Sequence, residues 1–195
     1  MRTGLIALII GLGLLVLTGL GGGCMFYASY KTAISLDESV KKTWADVEVV
    51  LKRRYDLIPN IVETVKGYAK HESQTLQSVI AARNQGVGAA SPAEAAKAST
   101  ALTGAMRSLI NVVNERYPEL KANENFRALQ IELEGTENRV AEMRRRYNDG
   151  VRQLNTHIRG PIGSIAAGWA GVEKAEYFEA DEAAQETPKV DFDSP

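Results

Sequence analysis

The sequence has little of what metal, redox and nucleotide sites require. Its 195 residues include one cysteine and two histidines, so no internal disulfide can form and no Cys/His zinc motif is present. His71 and His157 lie in different predicted helices, and the chain contains no H-E-x-x-H pair, Walker loop, dinucleotide fingerprint or G-x-S-x-G element. These absences predict a protein with no catalytic residues, no cofactor, no bound metal and no small-molecule substrate.

The sequence also lacks a large charge of one sign. Its formal net charge is −1. Residues 31–159 carry 20 Lys and Arg against 16 Asp and Glu, whereas residues 160–195 carry two lysines against eight acidic residues. A mildly basic body followed by an acidic tail lacks the clustered Lys and Arg of a nucleic-acid-binding surface. We therefore expect no nucleic-acid partner.

Charged residues are absent between Arg2 and Lys31. The stretch from Leu5 to Tyr27 is mostly apolar, and a helix needs about 20 such residues to cross the hydrocarbon core of a bilayer. Aromatic residues follow where membrane-interface aromatics usually lie, at Phe26, Tyr27 and Tyr30. Residues 1–30 are therefore predicted to form a short N-terminus and a single transmembrane helix.

Two other interpretations of this segment stay open. A cleaved signal peptide would have a shorter apolar region and an A-x-A-like site. A lipid anchor at Cys24 would usually have an aliphatic residue three positions earlier, where this chain has Gly21. Gly19 and Gly23 form a G-x-x-x-G pair, which can let two membrane helices approach closely. These two glycines are therefore candidate residues for membrane-helix packing.

The positive residues that flank the apolar segment predict its orientation. Arg2 lies on one side, and Lys31, Lys41 and Lys42 lie on the other. Because positive residues are enriched on the cytoplasmic side, we expect the N-terminus outside and the body in the cytoplasm. The predicted location is the plasma (inner) membrane of a bacterium.

Amphipathic periodicity predicts two helices in the first half of the body. Ser35-Leu36-Asp37-Glu38 has the pattern of a capping box, and apolar residues then recur at steps of three and four as far as Ile58. Pro59 has no backbone N–H, so we expect a tight turn there and a second helix to about Gln85. One kinked continuous helix is the alternative.

Two further helices complete the predicted body, residues 31–160. Ser91-Pro92-Ala93-Glu94 starts a third helix that ends near Tyr117-Pro118, and Asn123 caps a fourth that ends at Arg159-Gly160. The fold class is therefore all-α, with an antiparallel up-and-down four-helix bundle after the transmembrane helix. Residues 161–195 are predicted to be a C-terminal segment and tail. The apolar turn at Ile165 and Trp169 can pack on the bundle or the membrane surface, and Glu173 to Pro195 form an acidic, mostly flexible tail.

Two basic runs are candidate partner-contact residues: Lys52, Arg53 and Arg54, and Arg144, Arg145 and Arg146. In one interpretation they are solvated helix faces with ion pairs one turn apart, such as Arg145 with Asp149. In the other they form a basic surface for anionic lipid or an acidic partner, including the acidic tail of another copy. The turn expected at Pro59 lies roughly 40 Å along the helix from Lys31, so the first run beside it is more suited to a protein partner than to lipid.

Longer motifs make the sequence resemble a known family. LKRRYDLIPNIVETVKGYAKHE at 51–72, preceded by WADV at 44–47, closely resembles the signature of the LemA family. Resemblance to later motifs of the family is carried by YPELKANENF at 117–126, ENRV at 137–140 with RRRYN at 144–148, and PKVDF at 188–192. The resemblance spans about residues 27–192 and departs at 159–163, where an aromatic-Pro-Ser/Asn pattern is more usual.

The resemblance implies a single-pass membrane protein with an outside N-terminus, a cytoplasmic four-helix bundle and no agreed enzymatic activity. Family members often accompany membrane metalloproteases, and some relatives shape internal membranes. We therefore favour a non-enzymatic scaffold that self-associates at the membrane as a homo-oligomer. An adaptor or substrate-presenting partner of a membrane metalloprotease is the alternative.

Overall fold

The computed structural model describes the backbone of residues 2–69 and 72–179 and the side chains of residues 11–69 and 72–179. These residues form helices and no strand, which confirms the predicted all-α fold. The helices are α1 (Arg2–Lys66), α2 (Ser73–Val87), α3 (Pro92–Arg116), α4 (Pro118–Ala122), α5 (Glu124–Arg159) and α6 (Pro161–Ala170). His71 and the PKVDF motif at 188–192 lie outside the described residues.

Helix α1 is one continuous helix, so two predicted boundaries are wrong. No helix starts at Ser35, because the preceding residues are already helical and their carbonyls accept the N–H groups that a capping box would otherwise satisfy. Asp37 and Glu38 instead pair with Lys41 one turn later, at 2.7 and 3.3 Å. The chain also does not turn at Pro59, which lies inside α1. The alternative, a helix that continues through the proline, is the observed one.

The predicted starts of the third and fourth helices are confirmed. Ser91 Oγ accepts from the backbone N–H of Glu94 at 3.3 Å, and the Glu94 carboxylate accepts from Ala90 N–H at 2.8 Å. Asn123 Oδ1 accepts from Phe126 N–H at 3.0 Å at the start of α5. The short helix α4 between them was not predicted.

The described residues divide into two compact units. Unit one contains residues 2–43 and 149–175. Within it, side chains from α1, α5 and α6 are buried: Ala33, Val40, Val151, Leu154, Ala166 and Ala167. The Nε2 of His157 on α5 lies 3.1 Å from the carbonyl oxygen and 3.2 Å from the hydroxyl of Ser29 on α1. His157 therefore links α5 to α1 within unit one.

Unit two contains residues 44–69, 72–148 and 176–179. Its core is lined by apolar residues of four long helical segments, including Val47, Ile58, Val79, Leu102, Leu109 and Leu133. Side-chain contacts give the directions of these segments. Arg53 of α1 pairs with Glu132 of α5, and Tyr68 after α1 pairs with Asn123 before α5, so the two helices are antiparallel.

The other two helices of unit two follow the same alternation. Tyr55 in α1 contacts Gly86 at the end of α2, so α2 runs back along α1. Arg54 bonds to Ser99 near the start of α3, and Glu72 bonds to Arg116 at its end. Helix α3 therefore runs in the direction of α1, and the order α1, α2, α3, α5 is the predicted up-and-down bundle.

Candidate functional site

Arg54 lies inside unit two, so the expectation that the whole first basic run is exposed is wrong. Its residue surface is 1% exposed. Nη1 donates to Ser99 Oγ at 3.2 Å and Nη2 to Thr103 Oγ1 at 2.9 Å, with the Glu137 carboxylate 3.8 Å away. Burial lowers the pKa of the guanidinium, and the charge of Glu137 opposes that shift. Arg54 therefore joins α1, α3 and α5 and is not presented to a partner.

The other five residues of the basic runs are exposed and remain predicted partner contacts. On α1, Lys52 pairs with Asp56 and Arg53 with Glu132, each at 2.9 Å. Arg145 and Arg146 share Glu142, at 2.7 and 2.9 Å, and the neighbouring Asp149 pairs with Arg152. Instead of pairing with Asp149 as expected, Arg145 pairs with Glu142 one turn earlier in α5.

The contacts of the two basic runs lie at different levels along α1. Arg53 lies opposite Glu132, whereas Trp44 stacks with Tyr147, directly after the second run, with ring centroids 5.3 Å apart. Nine residues of α1 separate these two levels, which corresponds to about 13 Å along the helix axis. The side chains of Arg54 and Arg144 both line a small cavity of about 130 Å³ with Ser99, Thr103 and Phe178.

Pro59 removes one hydrogen bond from α1, and a residue of α2 replaces it. In an unbroken helix the N–H of residue 59 would donate to the carbonyl of Tyr55. Here the Nε–H of Arg83 donates to that carbonyl at 3.3 Å. Residues 51–72 thus supply the proline and the carbonyl that it leaves without a donor, and Arg83 on α2 supplies the donor that satisfies this carbonyl.

Gly86 explains how α2 comes so close to this point. A Cβ built on Gly86 would lie 2.7 Å from Cε1 of Tyr55 and closer still to its Cζ, far inside van der Waals contact. Only glycine leaves room for the Tyr55 ring there. Tyr55, Arg83 and Gly86 also line a cavity of about 310 Å³ together with Trp44 and Lys52.

The chain after α6 is held by asparagine side chains, although the sequence predicted a flexible tail from Glu173. Asn148 Oδ1 accepts from the N–H of Phe178 at 2.9 Å, and its Nδ2 donates to the Phe178 carbonyl at 3.3 Å. Tyr147 donates its hydroxyl to the carbonyl of Glu176 at 2.8 Å. The Phe178 ring is buried 6.1 Å from that of Trp44. We call Trp44, Tyr147 and Asn148 the tail clamp.

The same kind of pairing occurs separately in unit one. Asn155 Oδ1 accepts from the N–H of Ala175 at 3.0 Å, and its Nδ2 donates to the Ala175 carbonyl at 2.9 Å. Hydrogen bonds therefore hold the backbone at Ala175, Glu176 and Phe178. The part of the predicted tail from 180 to 195 lies outside the described residues. The sequence contains a signal for this arrangement, because the apolar Val172 and Phe178 are unusual in a flexible acidic segment. Both side chains are buried in the structure.

Helix α1 exposes a long apolar surface near its start. Of the helices in the described part of the chain, α1 alone is long and apolar enough to cross a membrane. Its large apolar side chains from residue 12 to 20 are mostly exposed, for example Leu15 at 70% and Leu17 at 72%. Cys24 is an exposed free thiol, and a Cβ added at Gly19 or Gly23 would meet no atom within 4 Å.

A model of the LemA family matches residues 43–192, which contain the signature around Pro59, the tail clamp and the whole of α2 to α6. The chain belongs to the LemA family. This LemA-family chain is also similar to two proteins of Paramagnetospirillum magneticum, Magnetosome protein MamQ 2 and Magnetosome protein MamQ 1. Each is 23% identical over 186 residues, which cover 83% of this chain and 68% of the relative.

Among the described residues, no group of three or more His, Cys, Asp and Glu side chains could hold a metal ion. What sequence reasoning missed is the role of single residues that act across helices. Arg83 and Asn148 were not singled out, because one arginine or asparagine on an amphipathic helix carries no pattern of its own. Only the partner on another segment distinguishes them.

Proposed function

We propose that this LemA-family protein is a non-enzymatic, single-pass membrane scaffold that self-associates through the apolar part of α1. Residues 1–30 are the N-terminus and membrane anchor, residues 31–160 the helical bundle and residues 161–195 the C-terminal segment and tail. The N-terminus is outside and the bundle is in the cytoplasm of a bacterium. The observation that carries the proposal is the exposed apolar surface of α1.

The glycines of α1 support self-association within the membrane. Gly19 and Gly23 lie four residues apart and therefore on one face of the helix. Since a Cβ at either position meets nothing within 4 Å, this face is open in a single copy. Small residues with this spacing let the backbones of two membrane helices approach closely. A second copy of α1 is the occupant that the proposal assigns to this face.

Mass measurement of the full chain in detergent, over a range of protein-to-detergent ratios, tests the proposal. We expect an oligomer in the unchanged protein and a shift towards monomer in Gly19→Leu with Gly23→Leu. The matched control is Gly21→Leu, because residue 21 lies about 200° from residues 19 and 23 around the helix. A monomer at every ratio, or an equal loss of mass in both variants, would count against self-association through this face.

A topology experiment tests the orientation separately. A cysteine introduced at Ser194 should stay unlabelled by a membrane-impermeant maleimide added to intact cells, and become labelled after lysis. Labelling in intact cells would reverse the proposed orientation and leave the self-association result unaffected. Palmitate incorporation at Cys24 would instead support the lipid-anchored alternative. Affinity capture that recovers a membrane metalloprotease and no second copy would favour the adaptor.

A further inference from the structure

Helix α6 exposes two large apolar side chains that the rest of the protein does not cover. Its sequence, PIGSIAAGWA, contains no charged residue. The small residues Gly163, Ala166 and Ala167 are buried within unit one. Ile165 and Trp169 lie four residues apart on one face and are 59% and 78% exposed. A tryptophan exposed to this extent next to an exposed isoleucine is costly in water and marks a contact surface.

A ring contact places this surface beside the end of the apolar stretch of α1. The rings of Trp169 and Phe26 meet edge to face, with centroids 5.8 Å apart and planes at 81°. Phe26 is followed by the exposed Tyr27, and Lys31, the first charged residue after the stretch, has its Nζ 5.6 Å from the Tyr27 ring. Trp169 therefore lies at the level where the apolar surface of α1 gives way to charge.

The start of α6 is held at this level by His157. The imidazole of His157 bonds to Ser29, and the N–H of Gly160 donates to the His157 carbonyl at 3.1 Å. The backbone of Gly163 passes so close to that carbonyl that a Cβ there would collide with it. The short connection between α5 and α6 thus fixes α6 next to α1. The close backbone contacts of Gly160 and Gly163 with His157 therefore set the position of Trp169.

We propose that α6 lies in the membrane–water interface and inserts Ile165 and Trp169 into the boundary between lipid headgroups and acyl chains. The proposal rests on the proposed function, since it assumes that α1 spans the bilayer. Tryptophan prefers this layer because its ring is apolar while its indole N–H can reach water or a headgroup. A helix that presents an isoleucine and a tryptophan on one face can lie in the plane of the interface with that face in the lipid boundary. Lipid is favoured over a second copy because the surface is continuous with the apolar surface of α1.

Brominated lipids test the position of Trp169. The full chain is reconstituted in phosphatidylcholine nanodiscs whose acyl chains carry bromine near the headgroup, and tryptophan emission is compared with that in unbrominated discs. The protein has two tryptophans, Trp44 and Trp169. We expect roughly twofold quenching of Trp169 in the Trp44→Phe variant, because an interfacial helix buries its apolar face about 5–10 Å into the boundary. The Trp169→Phe variant, which retains Trp44 in unit two, should show no quenching. If Trp44→Phe fails to fold, the difference between the unchanged protein and Trp169→Phe gives the same information.

A spin label on Cys24 separates failure of this inference from failure of the proposed function. A label that is accessible to oxygen but not to an aqueous relaxation agent places α1 in the bilayer. With α1 so placed, unquenched Trp169 overturns the interfacial position of α6 and leaves the membrane scaffold standing. If Trp169 is unquenched and also shielded from aqueous iodide, a second copy covers it and the lipid assignment is wrong. A Cys24 label exposed to water, with Trp169 unquenched, overturns both proposals.

Discussion

Arg83 donates a hydrogen bond from its Nε–H to the backbone carbonyl of Tyr55, at 3.3 Å. That carbonyl is the one that Pro59 leaves without its helical donor. A proline inside a helix usually ends or bends it, at a cost of about 3 kcal/mol relative to alanine. Here the donor from α2 and the exposed position of Pro59 allow α1 to continue to Lys66. The hydrogen bond that links α2 to α1 therefore also satisfies the carbonyl that Pro59 leaves without a donor.

Replacing Arg83 tests how much this hydrogen bond stabilises the protein. Arg83→Met should lower the free energy of unfolding by about 1.5–3 kcal/mol, because a charge-assisted hydrogen bond is lost and a buried carbonyl is left open. In a Pro59→Ala background the alanine N–H satisfies Tyr55, so the same change should cost less by about 1 kcal/mol. Urea unfolding of the four proteins in detergent, followed by circular dichroism, gives the coupling energy. Zero coupling would mean that Arg83 acts only through packing.

The neighbours Arg53 and Arg54 form a matched pair that differs in burial. Arg54→Ala should destabilise the protein by about 2–4 kcal/mol, because it removes a buried group bonded to Ser99 and Thr103 and leaves space behind. Arg53→Ala removes an exposed ion pair with Glu132 and should cost less than about 1 kcal/mol. Equal shifts of the urea midpoint in the two variants would contradict the buried role of Arg54. Arg54→Met, which refills the space, should recover part of the loss.

Asn148 should control the attachment of the tail. Asn148→Ala removes both hydrogen bonds to the Phe178 backbone, so the Phe178 amide should exchange its hydrogen on the order of tenfold faster in the native state. Asn148→Asp retains the oxygen that accepts from this amide and should retain more of the protection. The matched control is the exposed Asn60→Ala, which leaves the tail clamp unchanged. Unaltered exchange at Phe178 in Asn148→Ala would show that the buried ring alone holds the segment.

Tyr147 makes the same attachment sensitive to alkaline pH. Burial raises the pKa of Tyr147 to about 12, and the charge of Glu176 adds to the shift. An unfolded tyrosine ionises near about pH 10, so the unfolded state loses its proton first and becomes favoured as the pH rises. The contribution of Tyr147 should be complete below about pH 10 and fall between about 10 and 12, by at most about 1.4 kcal/mol per pH unit.

The Tyr147→Phe variant isolates this dependence. Burial also raises the pKa of Tyr55, so both proteins should lose stability in alkali. The difference between their free energies of unfolding should shrink or reverse as the pH rises from about 9 to about 11.5, because phenylalanine has no proton to retain. Urea titrations across this interval provide the measurement. A difference that stays constant over the whole interval would assign the alkaline loss to other groups.

Local signals in the sequence predicted part of this fold well. The caps at Ser91 and Asn123 were predicted because the side-chain oxygen that accepts and the backbone N–H that donates lie three residues apart, so the bond needs nothing from the rest of the fold. The capping box at Ser35 failed because a cap stabilises a helix only where the backbone N–H groups are unpaired. In α1 the apolar segment before Ser35 is already helical and supplies the missing carbonyls.

The sequence by itself determined the all-α class, the apolar segment, the amphipathic faces and the family, because each depends on periodicity or on a contiguous motif. Tertiary structure alone decided that α1 passes through Pro59, that Arg54 is buried while Arg53 is exposed, and that the tail is held as far as Phe178. The physical reason is the same in each case. An open helix carbonyl, a buried charge and an extended backbone each need a hydrogen-bond partner from another segment of the chain. Here the partners are Arg83, Ser99 and Asn148, and no local sequence pattern identifies them.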